Sequence, residues 1–105
     1  MNKITNMKQI RNSEKKIIGR INMITYSNSS EIPHVEYDLD DEYHNQGIMT
    51  KELIKYLEEY TKKGFNKLLA VVEEENNASK RVLEKAGFIK FEKIRKYQTY
   101  LYFKA

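Results

Sequence analysis

The stretch MTKELIKYLEEYTKKGFNKLLAVV, residues 49–72, decides the fold. Over 49–63 the apolar residues Met49, Leu53, Ile54, Leu57 and Tyr60 recur at helical spacing. Lys51, Glu52, Lys55, Glu58, Glu59 and Lys62 fill the other side. This is the pattern of an amphipathic helix with one face on a core. Gly64 stands where a left-handed residue ends a helix, and Phe65 follows as the apolar residue that packs back on the last turn. Residues 67–72 then form a continuous apolar run of strand length, which predicts a central strand covered on both faces.

Working outward, residues 7–11 and 16–26 alternate as strands do and are joined by the polar turn 12–15, so they predict a hairpin. Residues 27–30 are a loop by composition. Pro33 opens a third extended segment, 33–39, which runs into the acidic residues 38–42. Downstream, a shorter helix is expected to start near Asn76 or Asn77. It carries Ala78, Val82, Leu83 and Ala86 inward and stops at Gly87, with Phe88 behind it. Residues 88–94 and 97–103 alternate again as a closing strand pair, with Arg95 and Lys96 at the bend. The order β-β-β-α-β-α-β-β predicts an α/β (mixed α+β) fold: a mixed, mostly antiparallel sheet with two helices, its parallel pair bridged by a right-handed crossover.

A chain of 105 residues has room for one domain, 1–105, and one core. The absence of cysteine removes disulfides, thiolate metal sites and a cysteine nucleophile together, and suits a cytoplasmic protein. His34 and His44 lack a carboxylate partner at metal-ligand spacing, so no metal is expected. No apolar run approaches the roughly 20 residues that cross a bilayer, and the polar amino terminus lacks a signal-peptide core. The formal charge of +4 is spread among interspersed acids and bases, and only four of the basic residues are arginine, which argues against a dedicated nucleic-acid binder.

Ligands of such sheets sit at the carboxyl ends of parallel strands and against helix amino termini. That directs attention to the loops before Met49 and before Ser79. Tyr43-His44-Asn45-Gln46-Gly47-Ile48-Met49-Thr50 leads from a strand end into the first helix. A glycine here lets main chain approach an anion, and the unpaired N–H groups of the first helical turn carry partial positive charge. Gly47 on its own is better read as a residue that permits a tight strand-to-helix turn.

The stretch from Tyr37 to Thr50 (Tyr37-Asp38-Leu39-Asp40-Asp41-Glu42-Tyr43-His44-Asn45-Gln46-Gly47-Ile48-Met49-Thr50) resembles the acetyl-coenzyme A signature of the GCN5-related N-acetyltransferase (GNAT) family. It is most similar to the branch that acetylates ribosomal-protein amino termini. The family pattern is Gln or Arg, two residues, Gly, one residue, then Gly or Ala. His44, Gly47 and Met49 hold those positions, so the glycine matches and both flanks depart. Glu75-Asn76-Asn77-Ala78-Ser79-Lys80-Arg81-Val82-Leu83-Glu84-Lys85-Ala86-Gly87-Phe88 resembles the family's second signature, Asn-x-x-Ser followed by a short helix and Glu-Lys-x-Gly-Phe. It is also plain helix grammar, with Asn76 as N-cap and Gly87 ending the helix. The resemblance covers residues 33–103 and implies a domain without the family's usual first strand and helix pair.

The resemblance implies transfer of acetyl from acetyl-CoA, as cosubstrate, to a primary amine. Cofactor contacts are then expected from Tyr37, Leu39, His44, Asn45, Gln46, Gly47, Ile48, Met49, Thr50, Asn76 and Ser79. Main chain around 37–39 would serve the pantetheine arm, and a ring N–H of His44 the anion. Many relatives carry an acidic Tyr where this chain has Leu83; in the ribosomal-protein branch the Ser at the position of Ser79 has been given the proton-donor role. Ser79 is equally a first-turn serine bonded to backbone. Glu36 is the candidate base, with His34 and Glu73 as alternatives; a solvated face of the sheet explains each of them at least as well. Tyr43, Tyr56, Tyr97, Tyr100 and Tyr102 either line an acceptor groove or form half-buried sheet and helix surface. A sheet edge and face without their usual cover suggest a homodimer. Two rivals stand beside the enzyme: a catalytically silent acetyl-CoA-binding module, and a small basic RNA- or ribosome-associated protein.

Overall fold

A computed structural model of the chain describes residues 3–27 and 31–104. The elements are β1 (Lys3–Arg11), β2 (Ile17–Tyr26), β3 (His34–Leu39), a 3-10 turn at Asp41–Tyr43, α1 (Ile48–Lys62), β4 (Lys67–Glu73), α2 (Asn77–Lys85), β5 (Ile89–Ile94) and β6 (Tyr97–Phe103). They form one sheet in the order β1-β2-β3-β4-β6-β5. All neighbours are antiparallel except β3 and β4. The expected order and fold class hold. The first strand begins at Lys3, four residues before the alternation suggests. The expected loop at 27–30 falls mostly on residues 28–30, outside the described residues.

Local chemistry explains where the chain turns. In the first hairpin Asn12 Oδ1 accepts from the N–H groups of Glu14 and Lys16 at 2.9 and 3.0 Å, and Lys15 takes φ +67°, a side-chain-built turn. α2 ends in a Schellman motif: Gly87 N–H donates to Glu84 O at 3.1 Å and Phe88 N–H to Leu83 O at 2.9 Å. Gly87 there adopts φ +102°. Beyond Gly64, Phe65 stacks on Tyr60 with ring centroids 4.8 Å apart, as its position after the helix predicts.

Both helices pack on one face of the sheet. Strand alternation puts Ile21, Met23, Val35, Leu68, Ala70 and Tyr100 on that face, where they form one buried cluster with Met49, Leu53, Tyr56, Leu57 and Tyr60 of α1 and Leu83 of α2. The sequence placed Ile54 in this stripe and missed Tyr56. Ile54 is in fact exposed and Tyr56 buried, because the stripe runs through i+3 and i+4 from Leu53 rather than i+1. Ala78, expected inward, is exposed. The expected cover on both faces of β4 also fails: Leu68 and Ala70 are buried, but Val71, pointing the other way, is 48% exposed. Ile89, Phe91 and Phe103 are likewise exposed, and among the described residues no helix packs on that open face.

Two core phenols differ in one respect. Tyr60 Oη donates to Lys67 O at 2.9 Å, tying the end of α1 to the start of β4. Tyr56 Oη is buried with no partner among the described residues. Tyr60→Phe is therefore expected to cost about 1 kcal/mol in urea unfolding, while Tyr56→Phe, which removes an unpaired buried hydroxyl, is neutral or stabilising. Equal losses in both variants would contradict this assignment. Burial also pushes the phenols of Tyr37, Tyr60 and Tyr100 up to about 12. Between about pH 10, where an unfolded tyrosine ionises, and about 12 the unfolded state has lost protons that the native state keeps. Stability is thus expected to fall as pH rises through that window, measured by denaturant midpoints and tyrosinate absorbance.

Candidate functional site

The parallel pairing of β3 and β4 is one residue pair long, His34 with Leu69, supported by Leu69 N–H donating to Pro33 O at 2.9 Å. Beyond it the strands are held only on their outer sides, β3 by β2 and β4 by β6. Asp40 N–H donates to Ile18 O, so even-numbered residues of β3 direct their main-chain groups at β2. By alternation those of Tyr37 and Leu39 face the gap towards β4.

At the carboxyl end of this gap lies a cavity of about 510 Å³ between β3, the 3-10 turn and the amino-terminal parts of α1 and α2. Of the residues expected to contact a cofactor, it is lined by Tyr37, Leu39, His44, Asn45, Gly47, Ile48, Met49, Thr50, Asn76 and Ser79. Gln46 is not among the lining residues; its side chain folds back to donate to Glu42 O at 2.9 Å. Glu36 also stays outside. It is exposed and, by alternation, points to the open face of the sheet together with His34, while Glu73 of β4 points the same way.

The loop into α1 is shaped for close approach. Asn45 and Gly47 take φ +60° and +75°, left-handed values within three positions that curl successive N–H groups around a concave bend. A Cβ on Gly47 would meet nothing within 4 Å, so the glycine is there for its backbone angle and not for want of space. Among the described residues no acceptor bonds the main-chain N–H groups of Asn45 to Thr50, and Gly47, the N-cap of α1, supplies no side-chain cap. α2 is the contrast: Asn76 Oδ1 accepts from Ser79 N–H at 3.1 Å, which makes its role a cap. The open amide cluster belongs to α1.

His44 does not aim a ring N–H at the cavity through Nε2. That nitrogen lies 2.6 Å from Leu39 O, and because a carbonyl only accepts, Nε2 carries the proton and Leu39 O is already satisfied. Tyr43 is steadied by Asn12 of the first hairpin, whose Nδ2 donates to its hydroxyl at 3.0 Å. Of the tyrosines proposed for a groove, Tyr43 alone lines this cavity. Tyr56 and Tyr100 are buried in the core, Tyr102 packs on Phe88 with centroids 5.5 Å apart, and Tyr97 lies under Lys96 at the β5–β6 bend.

Sequence reasoning missed Asp38, Ala78, Arg81, Val82 and Lys85 as lining residues. The last four were legible as a stripe at i, i+3, i+4 and i+7 on α2, a pattern read only for its apolar members. Neither Arg81 nor Lys85 enters an ion pair among the described residues, so both leave positive charge at the cavity wall. Across it, Tyr37 Oη stands 2.7 Å from Ser79 Oγ and 3.2 Å from Ser79 O. Burial raises this phenol, and the Ser79 bond offsets part of the shift.

A splayed parallel pair, an uncapped helix start with a left-handed glycine, and two unpaired cations suit a ligand with an extended amide-bearing arm and an anionic middle. No curated protein matched by sequence. Among solved structures, the ribosomal-protein-S5-alanine acetyltransferase of Vibrio fischeri is 25% identical with a TM-score of 0.69, the match covering 86% of this chain and 56% of that one. RimL, a ribosomal L7/L12 alpha-N-protein acetyltransferase in complex with coenzyme A, is 18% identical with a TM-score of 0.80, over 94% of this chain and 62% of that one. MccE, the microcin C7 self-immunity acetyltransferase in complex with acetyl-CoA and AMP, is 18% identical with a TM-score of 0.77, over 94% and 61%. The chain spans less than two thirds of the length of each. A family model, Acetyltransferase (GNAT) domain, matches residues 4–89, and the chain belongs to that family.

Proposed function

We propose that the chain is an N-acetyltransferase that moves an acetyl group from acetyl-CoA to a primary amine, with a protein amino terminus as one acceptor class. The observation that carries this reading is the run of unpartnered main-chain N–H groups from Asn45 to Thr50 at the mouth of the β3–β4 gap. Such groups at a helix start favour a diphosphate, and their low reorganisation cost makes them effective where charge is concentrated. Arg81 and Lys85 add charge of the same sign. The unpaired main-chain groups of Tyr37 and the Leu39 N–H suit a pantetheine arm lying along β3 as a further strand.

Acetyl-CoA supplies an acyl group activated as a thioester. The chain's own residues then orient it and exclude water. On the helix face, Tyr37 and Ser79 stand where a sulfur emerging from the gap would pass. On the open face, Glu36, with His34 and Glu73 as alternatives, offers a group to accept a proton from an ammonium approaching through the gap. Cofactor and acceptor thus enter from opposite faces, which accounts for a base candidate outside the cofactor cavity.

A catalytically silent acetyl-CoA-binding module is the second reading, favoured by the exposure of Glu36, which leaves the acceptor side open to water. A ribosome- or RNA-associated role predicts instead binding that weakens steeply with salt and ignores coenzyme A.

Acetyl-CoA at about 100 times its Kd is expected to stabilise the fold by about 2.7 kcal/mol, raising Tm by roughly 10 °C or more for a domain of this size. An unmoved midpoint across the millimolar range would remove both acetyl-CoA readings. Thiol release with a panel of amines and amino-terminal peptides separates enzyme from silent module. Gly47 and Gly64 provide an internal control, since both have positive φ and open space around an added Cβ. Each Gly→Ala change is expected to cost about 1–3 kcal/mol in backbone strain. Calorimetry should show about tenfold weaker acetyl-CoA binding only for Gly47→Ala, since Gly47 lines the cavity and Gly64 does not.

A further inference from the structure

The Ser79 hydroxyl does not stand alone in the cavity. Tyr37 Oη is 2.7 Å from Ser79 Oγ and 3.2 Å from Ser79 O. The phenol has one proton to give, the carbonyl can only accept, and the serine hydroxyl can do either. If the phenol donates to Oγ, the Ser79 proton must turn away from Tyr37 and towards the cavity that both residues line. If the phenol donates to the carbonyl, the Ser79 proton is spent on the phenol oxygen and no hydroxyl donor faces the cavity. The 2.7 Å contact is a bond in either case; the 3.2 Å contact to the carbonyl is longer than the roughly 2.5–3.0 Å usual for O–H···O bonds, which favours the phenol donating to Oγ.

Resting on the acetyl-transfer reading above, we propose that Tyr37 is a positioning residue. It fixes the Ser79 hydroxyl as a donor into the cavity, where that hydroxyl stabilises charge building on the leaving sulfur without giving up its proton. Tyr37 reaches this position because β3 diverges from β4. Its side chain lies on the helix face, and its hydroxyl crosses to the first turn of α2, where Asn76 has already fixed the Ser79 main chain.

Relative acidities weigh against the alternative in which the pair acts as a proton wire. Burial pushes the Tyr37 phenol up to about 12, whereas a thiol ionises near about 8.5, and a serine hydroxyl is a weaker acid than either. A proton passed from tyrosine through serine to a thiolate would run uphill overall, from a phenol at about 12 to a thiol at about 8.5, by way of a still less acidic serine. A shared hydrogen bond has no such cost, and it acts where the sulfur carries most charge. In the balanced reaction the ammonium loses two protons as the C–N bond forms and the C–S bond breaks. One ends on the released thiol by way of solvent and the other remains in solvent, so both O–H groups of the pair survive the turnover.

The test has two arms. In the free protein labelled with carbon-13 at tyrosine Cζ, the Tyr37 resonance is compared by NMR at neutral pH with and without Ser79→Ala. Loss of the 2.7 Å bond is expected to shift the Tyr37 Cζ resonance; an unchanged resonance overturns the pairing whatever the activity. In the second arm, Tyr37→Phe, Ser79→Ala and the double variant are compared in thiol release and in calorimetry with coenzyme A. Each single change is expected to lower kcat about tenfold, with coenzyme A affinity held within about twofold for Tyr37→Phe, and the double variant to fall no more than about twofold below Ser79→Ala. Ser79→Thr, which keeps the hydroxyl, restores the rate. Multiplicative losses, or a Tyr37→Phe effect confined to affinity, overturn the positioning role. The expected Tyr37 resonance shift together with no thiol release from the wild-type protein overturns the transfer reading and the catalytic role together, leaving the pairing as a structural contact.

Discussion

The short parallel ladder between β3 and β4 is the constraint on which the site depends. Two adjacent parallel strands ordinarily continue their hydrogen bonds along their length, since an unmet buried main-chain group costs roughly as much as a lost bond. Here one residue pair is made and the strands then part. They can do so because each is secured on its outer side, β3 in six register pairs to β2 and β4 in seven to β6. The divergence leaves main-chain groups of Tyr37 and Leu39 facing the gap without a partner strand.

What surrounds the gap follows from packing on one face. α1 is laid along the sheet by Met49, Leu53, Tyr56, Leu57 and Tyr60, and that seating puts its uncapped start at the end of β3. Gly19 makes a comparable contribution from below. A Cβ there would stand 2.4 Å from Asp38 O, so β2 and the end of β3 approach as closely as they do only because residue 19 has no side chain. The position of Leu39, and through it the His44 ring bonded to its carbonyl, depends on that close approach.

The two faces of the sheet carry different chemistry. The helix face holds the amide cluster, the cations and the Tyr37–Ser79 pair, which suit an anionic carrier. The open face holds Glu36, His34 and Glu73 together with exposed apolar side chains such as Val71 and Phe103. The short β3–β4 ladder lies between the two.

The sequence by itself determined the element order, both helix stops at Gly64 and Gly87, the closing hairpin and the loop that starts α1. Each of these is written in local terms: the period of apolar residues, a residue tolerant of positive φ, a capping asparagine. The same reasoning misjudged Ile54 against Tyr56 and the cover of β4. Helical spacing leaves the centre of a stripe uncertain by one residue, and a continuous apolar run does not say how many layers lie over it. Only the tertiary structure decided that Glu36 and Tyr37, neighbours in sequence, stand on opposite faces, that His44 Nε2 is committed to a carbonyl, and that Tyr37 meets Ser79 across 42 positions of chain. Those facts depend on how far two parallel strands splay, a property of the forces on their outer edges that no local pattern records.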